Sequence, residues 1–435
     1  MSQLKKLASH TAIYGLSSVL GRAVNFLLVP FYTTEGVLEV EEYGMVTELY
    51  AFVAFLNILY AYGLETAYFR FASDEKIRIH SNLELASAFY AKNEKSRTYF
   101  NLAFTSILFS SLFLSLGITF SASDIAAALE YPNQKNLIIW LAWILAIDAV
   151  VAIPFARLRK EGKAMQFAIF KFSNICINIL LNIFFLVFCP EFLDDRPDHW
   201  LNAIYYPELK VGYVFLSNLI ANGLYLLFFF PLWLKVRIWW NKAEWKKMMQ
   251  YAWPILIIGF TGITNEMFSR VLLKYRLPDG FYSGYTNLEA LGIFGACYKL
   301  SIFMALAIQA FRYAFEPFFF ARAEDKNSPQ LFSRVMTWFV IFASASWLII
   351  SILLPYLAPL FLRQKSYLEA LGTVPWLLGG GLFLGIYYNL SIWYKLNDKT
   401  IYGAYIALMG CFLTFLLNWM LIPTMGYMGS ALTTF

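Results

Sequence analysis

Residues 137–156 read LIIWLAWILAIDAVVAIPFA, a stretch of twenty residues in which Asp148 is the one charged side chain. At 1.5 Å per residue, an α-helix of this length measures about 30 Å, which is the thickness of the hydrocarbon core of a bilayer. A continuous apolar stretch of this length is not typical of a soluble domain. It therefore predicts a helix that crosses a membrane.

Similar stretches recur along the whole chain of 435 residues, which is 60% hydrophobic and 14% charged. Soluble domains carry about 25% charged residues, so the composition also favours a polytopic all-α membrane protein. We predict eleven spans, near residues 11–32, 45–69, 99–120, 137–156, 164–189, 211–234, 251–273, 291–320, 335–361, 374–394 and 401–423. The first has no small-residue cleavage site, which indicates a retained helix. A twelfth begins near Gly426, and because too few residues follow to complete it, we expect the natural protein to be longer.

The Lys and Arg residues of the loops indicate the orientation of these spans. The loops on one side of the predicted membrane hold 22 of them and the loops on the other side hold 6. Because cytoplasmic loops are enriched in Lys and Arg, the amino terminus is predicted to be cytoplasmic. The net charge of +6 is then a consequence of topology, and we expect no nucleic-acid partner.

Two pairs of segments indicate that the chain contains an internal repeat. KKLASHTAIYGLSSVLGR at 5–22 resembles KKMMQYAWPILIIGFTG at 246–262, and Asn182 occupies a position similar to that of Asn418. Six spans in each half predict two six-helix lobes related by a pseudo-two-fold axis along the membrane normal. The predicted boundaries are an N-lobe of spans one to six (1–234), an interfacial linker (235–250) and a C-lobe with spans seven to eleven and the start of the twelfth (251–435). The linker is rich in tryptophan and lysine and is either a tether between the lobes or an interfacial anchor.

Several charged residues are predicted to lie at membrane depth. The cations are Arg22, Lys171, Arg270, Lys274, Lys299 and Arg312, and the acids are Glu65, Asp148, Glu266 and Glu316. A cation at the centre of a lipid-facing helix costs about 2.5–3.5 kcal/mol, so these side chains are expected to face the protein interior or a water-filled cavity.

The surplus of cations suits an anionic ligand such as a diphosphate, which Arg binds through two parallel hydrogen bonds. We interpret six residues as the lining of such a site: Arg22, Asn25, Lys171, Arg270, Lys299 and Arg312. Asp148 and Glu266 are candidates for ion coupling. The alternatives are that Glu266–Arg270 and Arg312–Glu316 are simple ion pairs within a helix, and that Lys274 extends to the membrane interface.

The four cysteines and the longest outer loop predict no metal site and no cofactor. Cys176, Cys189, Cys297 and Cys411 show no CxxC spacing and no clustered histidines, so we interpret them as small apolar residues. The loop at 190–210 contains three aspartates and a histidine and is interpreted as a solvated acidic loop. We therefore do not expect an enzyme.

Five stretches together resemble the polysaccharide-transporter branch of the multidrug/oligosaccharidyl-lipid/polysaccharide exporter superfamily. They are YGLSSVLGRAVNFLLVPFYT (14–33), YGLETAYFRFAS (62–73), YKLSIFMALAIQAFRYAFEPFFF (298–320), LGIYYNLSIWYKLNDKTIYGAYIA (384–407) and LNWMLIPTMGYMGSALTT (417–434). The resemblance implies two six-helix lobes around a cavity and a flippase for undecaprenyl-diphosphate-linked oligosaccharides that works by alternating access. It also supports Arg22 and Arg270 as diphosphate ligands, and implies membrane lipids, a polysaccharide polymerase and chain-length proteins as partners.

Two other functions remain open at this point. A multidrug or cation antiporter of the same superfamily would need an acidic cavity, which the surplus of cations disfavours. A membrane glycosyltransferase or polymerase would also be polytopic and basic, but it would need a carboxylate base or a metal-binding loop.

Overall fold

The computed structural model describes residues 21–72, 82–321 and 328–435, apart from the single positions 22, 25, 197, 398 and 400. Within these residues the chain forms helices and no β-strand, so the predicted all-α class is confirmed. A helix satisfies its backbone hydrogen bonds within one segment, which is what a hydrocarbon environment requires.

The α-helices, numbered in chain order, are α1 (Val29–Tyr32), α2 (Val40–Ala61), α3 (Leu64–Ala72), α4 (Asn82–Phe120), α5 (Ala122–Ala128), α6 (Lys135–Lys160), α7 (Ala164–Ile183), α8 (Cys189–Leu193), α9 (Val211–Phe228), α10 (Phe230–Trp233), α11 (Lys242–Arg276), α12 (Asn287–Leu300), α13 (Ile302–Ala321), α14 (Ser328–Phe361), α15 (Val374–Leu396), α16 (Ile401–Met425) and α17 (Tyr427–Thr434). A π-helical turn, Phe184–Phe188, joins α7 to α8. The 3-10 segments are Trp200–Ala203, Pro207–Leu209 and Lys365–Thr373.

The positions of the long helices agree with the predicted spans. In the described part of the chain nine helical stretches are long and apolar enough to cross a membrane, and the α12–α13 pair, bent by 41°, makes a tenth. They correspond to predicted spans two to eleven, and α17 lies at the start of the predicted twelfth. The first predicted span lies mostly outside the described residues.

The ends of the helices differ from the predicted ends of the spans. Helix α4 begins at Asn82, well before residue 99, and α11 begins at Lys242, inside the predicted linker. Hydropathy locates the part of a helix that lies in hydrocarbon, whereas a helix continues into the interface wherever polar residues favour it. The chain divides into two compact units, a first unit of residues 1–52, 179–211 and 261–435 and a second unit of residues 53–178 and 212–260.

The second unit has an aromatic core in which α2, α3, α4 and α6 meet. Tyr60, Tyr68 and Phe100 are fully buried there, together with Leu145 and Ile153 of α6. The hydroxyl of Tyr60 lies 2.9 Å from that of Ser115, so its polar end is satisfied within the core. A tyrosine buried in this way removes its apolar ring from solvent while its hydroxyl keeps a hydrogen-bond partner.

The linker is fixed to α4 by hydrogen bonds within the second unit. The indole nitrogen of Trp245 donates to the Ser106 hydroxyl at 2.8 Å, and the backbone nitrogen of Trp239 donates to the Thr105 hydroxyl at 3.2 Å. The Tyr99 hydroxyl donates to the Glu244 carboxylate at 2.6 Å. The linker therefore packs against α4.

In the first unit, α2 and α12 cross with their backbones in contact. A methyl group added to Gly44 would overlap the carbonyl oxygen of Leu288, and one added to Gly292 would overlap that of Val40. Gly295 lies against the side chain of Thr47 in the same way. Small residues allow such close approach between membrane helices, and here they join a helix of the first sequence half to one of the second.

Two asparagines of the predicted repeat make similar contacts, both within the first unit. The amide oxygen of Asn182 accepts a hydrogen bond from Tyr32 at 2.8 Å, and the amide nitrogen of Asn418 donates to Ser269 at 3.0 Å. Tyr32 belongs to the first span of its half, and Ser269 belongs to the first span of the other half. These bonds agree with the repeat, while the two-lobe arrangement itself stays a prediction.

We predict that Gly44→Val destabilises the protein, because the new side chain cannot fit between α2 and Leu288. The expected cost is about 1–3 kcal/mol, measured as a lower midpoint of thermal unfolding in detergent. Gly117→Val is the matched control, since no atom lies within 4 Å of a methyl group added there. Equal midpoints for the two variants would contradict the tight crossing.

Candidate functional site

Arg270, on α11, is a buried cation without a carboxylate partner among the described residues. It is 9% exposed, and its guanidinium carbon lies 3.8 Å from the centre of the Tyr298 ring. Its Nη1 contacts the Met267 sulfur at 3.0 Å, and its Nε has no hydrogen-bond partner in the described part of the chain. A guanidinium stacked on an aromatic ring keeps its edge nitrogens available for an anion.

The sequence assigns Lys299 and Arg270 to one site, and that assignment stays a prediction. The Lys299 ammonium interacts electrostatically with both Arg270 and Glu266. Glu266 is exposed and does not form an ion pair with Arg270 among the described contacts. The alternative of a simple Glu266–Arg270 pair within the helix is therefore wrong in this structure.

Arg312 lies on α13, beyond the bend that follows α12, and its guanidinium carbon is 5.0 Å from the ring centre of Tyr388. The side chain of Glu316 is outside the described residues, so the alternative of an Arg312–Glu316 pair stays untested. Arg22 and Asn25, which the sequence assigned to the same site, also lie outside the described residues.

The second unit contains a separate polar cluster around Asp148 and Lys171. The amide nitrogen of Asn222 donates to the Asp148 carboxylate at 3.0 Å, and Asn174 donates to the Asn222 oxygen at 3.0 Å. The Lys171 ammonium lies within electrostatic range of Asp148 and 4.4 Å from the ring centre of Phe155. The carboxylate is thus held by a chain of amides on α9 and α7.

Sequence reasoning missed Glu48, which forms a buried ion pair with Lys274. Their nitrogen and oxygen atoms are 3.2 Å apart, with side-chain exposures of 4% for Lys274 and 0% for Glu48. The Tyr275 hydroxyl donates to the same carboxylate at 2.6 Å. The alternative that Lys274 extends to the interface is therefore wrong. Glu48 lies near the beginning of predicted span two, where an acid is usually interfacial, so the sequence carried no signal of its burial.

Among the described residues no group of three or more His, Cys, Asp or Glu side chains is placed to hold a metal ion. Glu65, which the sequence also placed at membrane depth, forms an ion pair with Arg159 of α6. In the first unit, Lys299 interacts electrostatically with Arg270 and Glu266.

Sequence comparison places this chain among proteins of one family. The profile of the family described as polysaccharide biosynthesis protein matches residues 7–309. A search of curated protein sequences gives no match.

Solved structures of three transporters have a similar fold. The inward-facing conformation of a multidrug resistance MATE family transporter of the MOP superfamily aligns with a TM-score of 0.67 and 13% identity, over 95% of this chain and 90% of that one. The lipid II flippase MurJ, in an inward closed conformation, aligns with a TM-score of 0.65 and 12% identity, over 96% and 83%. A Vibrio cholerae MATE transporter aligns with a TM-score of 0.58 and 14% identity, over 99% and 92%. At these identities the likeness shows the fold alone.

We predict that Glu48→Gln lowers the thermal midpoint strongly, because it leaves the Lys274 charge buried and uncompensated. Breaking one partner of a buried pair costs about 3–5 kcal/mol. The double variant Glu48→Met with Lys274→Met should recover much of that loss, since apolar residues of similar volume often replace such pairs well.

The control for this prediction is Lys163→Gln, which removes the exposed partner of Glu161. An exposed pair contributes about 0–1 kcal/mol, so its midpoint should hardly change. Equal losses in Glu48→Gln and Lys163→Gln would contradict the burial of the Glu48–Lys274 pair.

Proposed function

The chain belongs to the polysaccharide biosynthesis protein family, and from that premise we propose that it is a flippase for lipid-linked oligosaccharides. The lipid carrier is undecaprenyl diphosphate, and the glycan moves from the cytoplasmic to the periplasmic leaflet of a bacterial inner membrane. The amino terminus is cytoplasmic, and the partners are a polysaccharide polymerase and chain-length proteins. The similarity of the fold to a lipid II flippase supports this reading.

The observation that carries the proposal is the buried guanidinium of Arg270. A buried charge without a counter-charge is strongly destabilising, so such a residue persists where a ligand supplies the missing anion. The Nε of Arg270 is without a partner among the described residues, and the positive charge of Lys299 interacts with that of Arg270. A diphosphate offers several acceptor oxygens to this pair and matches the fork of the guanidinium. Arg22, Asn25 and Arg312, which the sequence assigns to the same site, are the other proposed ligands. Lys171, also assigned there from the sequence, lies in the separate polar cluster around Asp148.

The transport cycle in this proposal is alternating access between two six-helix lobes. The Glu48–Lys274 pair joins helices of the two sequence halves, and both residues lie at the ends of spans predicted to face the periplasm. This pair and the Gly44–Gly292 crossing form the outer gate. The gate opens when the ion pair separates and water reaches both charges, which lowers the cost of parting them.

Asp148 is the proposed coupling group. Its carboxylate is held by Asn222, and the nearby Lys171 ammonium lies 5.2 Å from the ring centre of Tyr225. A proton that neutralises Asp148 would leave the Lys171 charge without its neighbour and so favour a different arrangement of α6, α7 and α9. Glu266, beside Lys299, is the second candidate for such coupling.

A multidrug or cation antiporter is the other candidate function, because MATE transporters share the fold. The interacting charges of the first unit are two cations, Arg270 and Lys299, and one acid, Glu266. Their net positive charge repels organic cations. This candidate is therefore the second choice, and the transport experiment below distinguishes the two.

We predict that Arg270→Ala abolishes flipping in proteoliposomes. The assay follows a fluorescent undecaprenyl-diphosphate-linked glycan whose label is reduced by a membrane-impermeant reagent. Loss of a charge-assisted bond costs about 1.5–3 kcal/mol, so the rate should fall at least about tenfold. Arg270→Lys keeps the charge but loses the planar fork, so it should recover part of the rate.

The matched control is Arg276→Ala, on the same helix, where the guanidinium carbon lies 4.0 Å from the ring centre of Trp419. It should flip at the wild-type rate. Wild-type flipping by Arg270→Ala would remove that residue from the site. Transport of organic cations by the wild type, with no effect on the glycan lipid, would sink the flippase proposal and favour the antiporter.

We also predict that Asp148→Asn removes the acceleration of flipping by an imposed proton gradient, because the amide cannot take up a proton. Asp124→Asn, at an exposed position of α5, is the control and should respond to the gradient as the wild type does. A gradient response that survives in Asp148→Asn would show that coupling resides elsewhere.

A further inference from the structure

An apolar groove runs between α13 and α14 in the first unit. Its volume is about 490 Å³. One wall is formed by a stripe of α13 that includes Ala307 and Phe311, and the other by a stripe of α14 that includes Val335, Trp338 and Phe342. The lining positions on each helix recur at intervals of three and four residues, so each stripe is one continuous helix face.

The groove has the length and direction of a lipid chain. Its lining on α14 extends from Leu331 to Ser346. That is about 22 Å at 1.5 Å per residue, which exceeds half of the roughly 30 Å hydrocarbon core. A chain lying in it would run parallel to α14, from one face of the membrane to beyond the bilayer centre.

A cation stands at one end of the groove. Arg334 lines the groove and also a neighbouring cavity of about 620 Å³, to which Gln330, Ser333 and Thr337 contribute polar atoms. Arg334 is exposed, and no ion pair is found for it among the described side chains. By the distribution of Lys and Arg in the loops, this end of α14 faces the cytoplasm.

We propose that this groove binds a polyprenyl phosphate lipid of the cytoplasmic leaflet, with its tail between α13 and α14 and its phosphate at Arg334. This proposal rests on the proposed function, because the groove would bind the carrier lipid of the substrate before transport. Apolar faces are common on a membrane protein, but this one is concave and ends at a cation, which complements a tail that carries an anion.

The chemistry of the site favours a polyprenyl phosphate over a phospholipid. In a polyprenyl phosphate the anion is attached directly to a single chain, so the isoprene units next to the phosphate can lie in the groove while the phosphate contacts Arg334 and the rest of the chain extends into the bilayer. In a phospholipid, glycerol and an ester group separate the phosphate from each chain, so the anion is further from the chain that would enter the groove. The aromatic walls, Phe311, Trp338 and Phe342, suit an unsaturated branched chain.

The test uses a photoreactive polyprenyl phosphate with the full chain in nanodiscs of neutral lipid. Crosslinked peptides are mapped by mass spectrometry, and the expected label lies on α13 and α14. Unlabelled polyprenyl phosphate should compete, whereas phosphatidylglycerol in excess should not. Competition by phosphatidylglycerol at the same concentration would mean an ordinary lipid contact and overturn the proposal.

Two variants separate the tail from the phosphate. Ala307→Trp fills the groove and should abolish labelling, whereas Ala310→Trp, an exposed position of the same helix outside the groove lining, should leave it unchanged. Arg334→Gln should reduce labelling by the phosphate at least about fivefold, and should leave labelling by the uncharged polyprenol unchanged. Lys399→Gln, an exposed cation predicted on the same face of the membrane, controls for general attraction to anions.

Equal labelling of Ala307→Trp and Ala310→Trp would overturn the groove as the binding site. Equal loss in Arg334→Gln and Lys399→Gln would overturn the specific role of Arg334. Both results can be obtained while the wild type still flips the glycan lipid, so failure of this site and failure of the proposed function are distinguished by the transport assay.

Discussion

The buried pair of Glu48 and Lys274 is the interaction on which the packing of the first unit depends. Either charge would be costly to bury without the other, so the pair holds α2 against α11 in the conformation described. Tyr275 satisfies a further oxygen of the same carboxylate, and Gly44 and Gly292 bring α2 and α12 together nearby. Electrostatics and backbone contact therefore join the same two parts of the sequence.

Lys274 and Arg270 differ in whether a carboxylate balances their charge. Both cations lie on α11, one helical turn apart, and both are buried. Lys274 has a carboxylate in contact, whereas Arg270 has an aromatic ring and a sulfur atom. A protein that needed only stability would gain by pairing both cations or removing one. In the proposed function, the missing counter-charge of Arg270 is the diphosphate of the ligand.

The sequence predicts the helices of this protein well and its contacts less well. Stretches such as 137–156 are fixed by the thickness of hydrocarbon, so spans two to eleven are found where hydropathy placed them. The partner of Lys274 could not be predicted, because periodicity relates residues of one helix, whereas Glu48 is 226 positions away. The groove of α13 and α14 is hidden for the same reason: both stripes read as ordinary lipid-facing surface.

The backbone crossing of α2 and α12 also limits how this protein can change over generations. Where two side chains are in contact, a larger residue on one helix can be compensated by a smaller residue on the other, so many intermediate sequences still fold. Gly44 and Gly292 have no side chain to shorten, so every substitution adds atoms to a space already occupied by carbonyl oxygens. A random library should therefore be depleted at these two positions regardless of the polarity of the replacement, and a lost crossing should be recovered only by reversion.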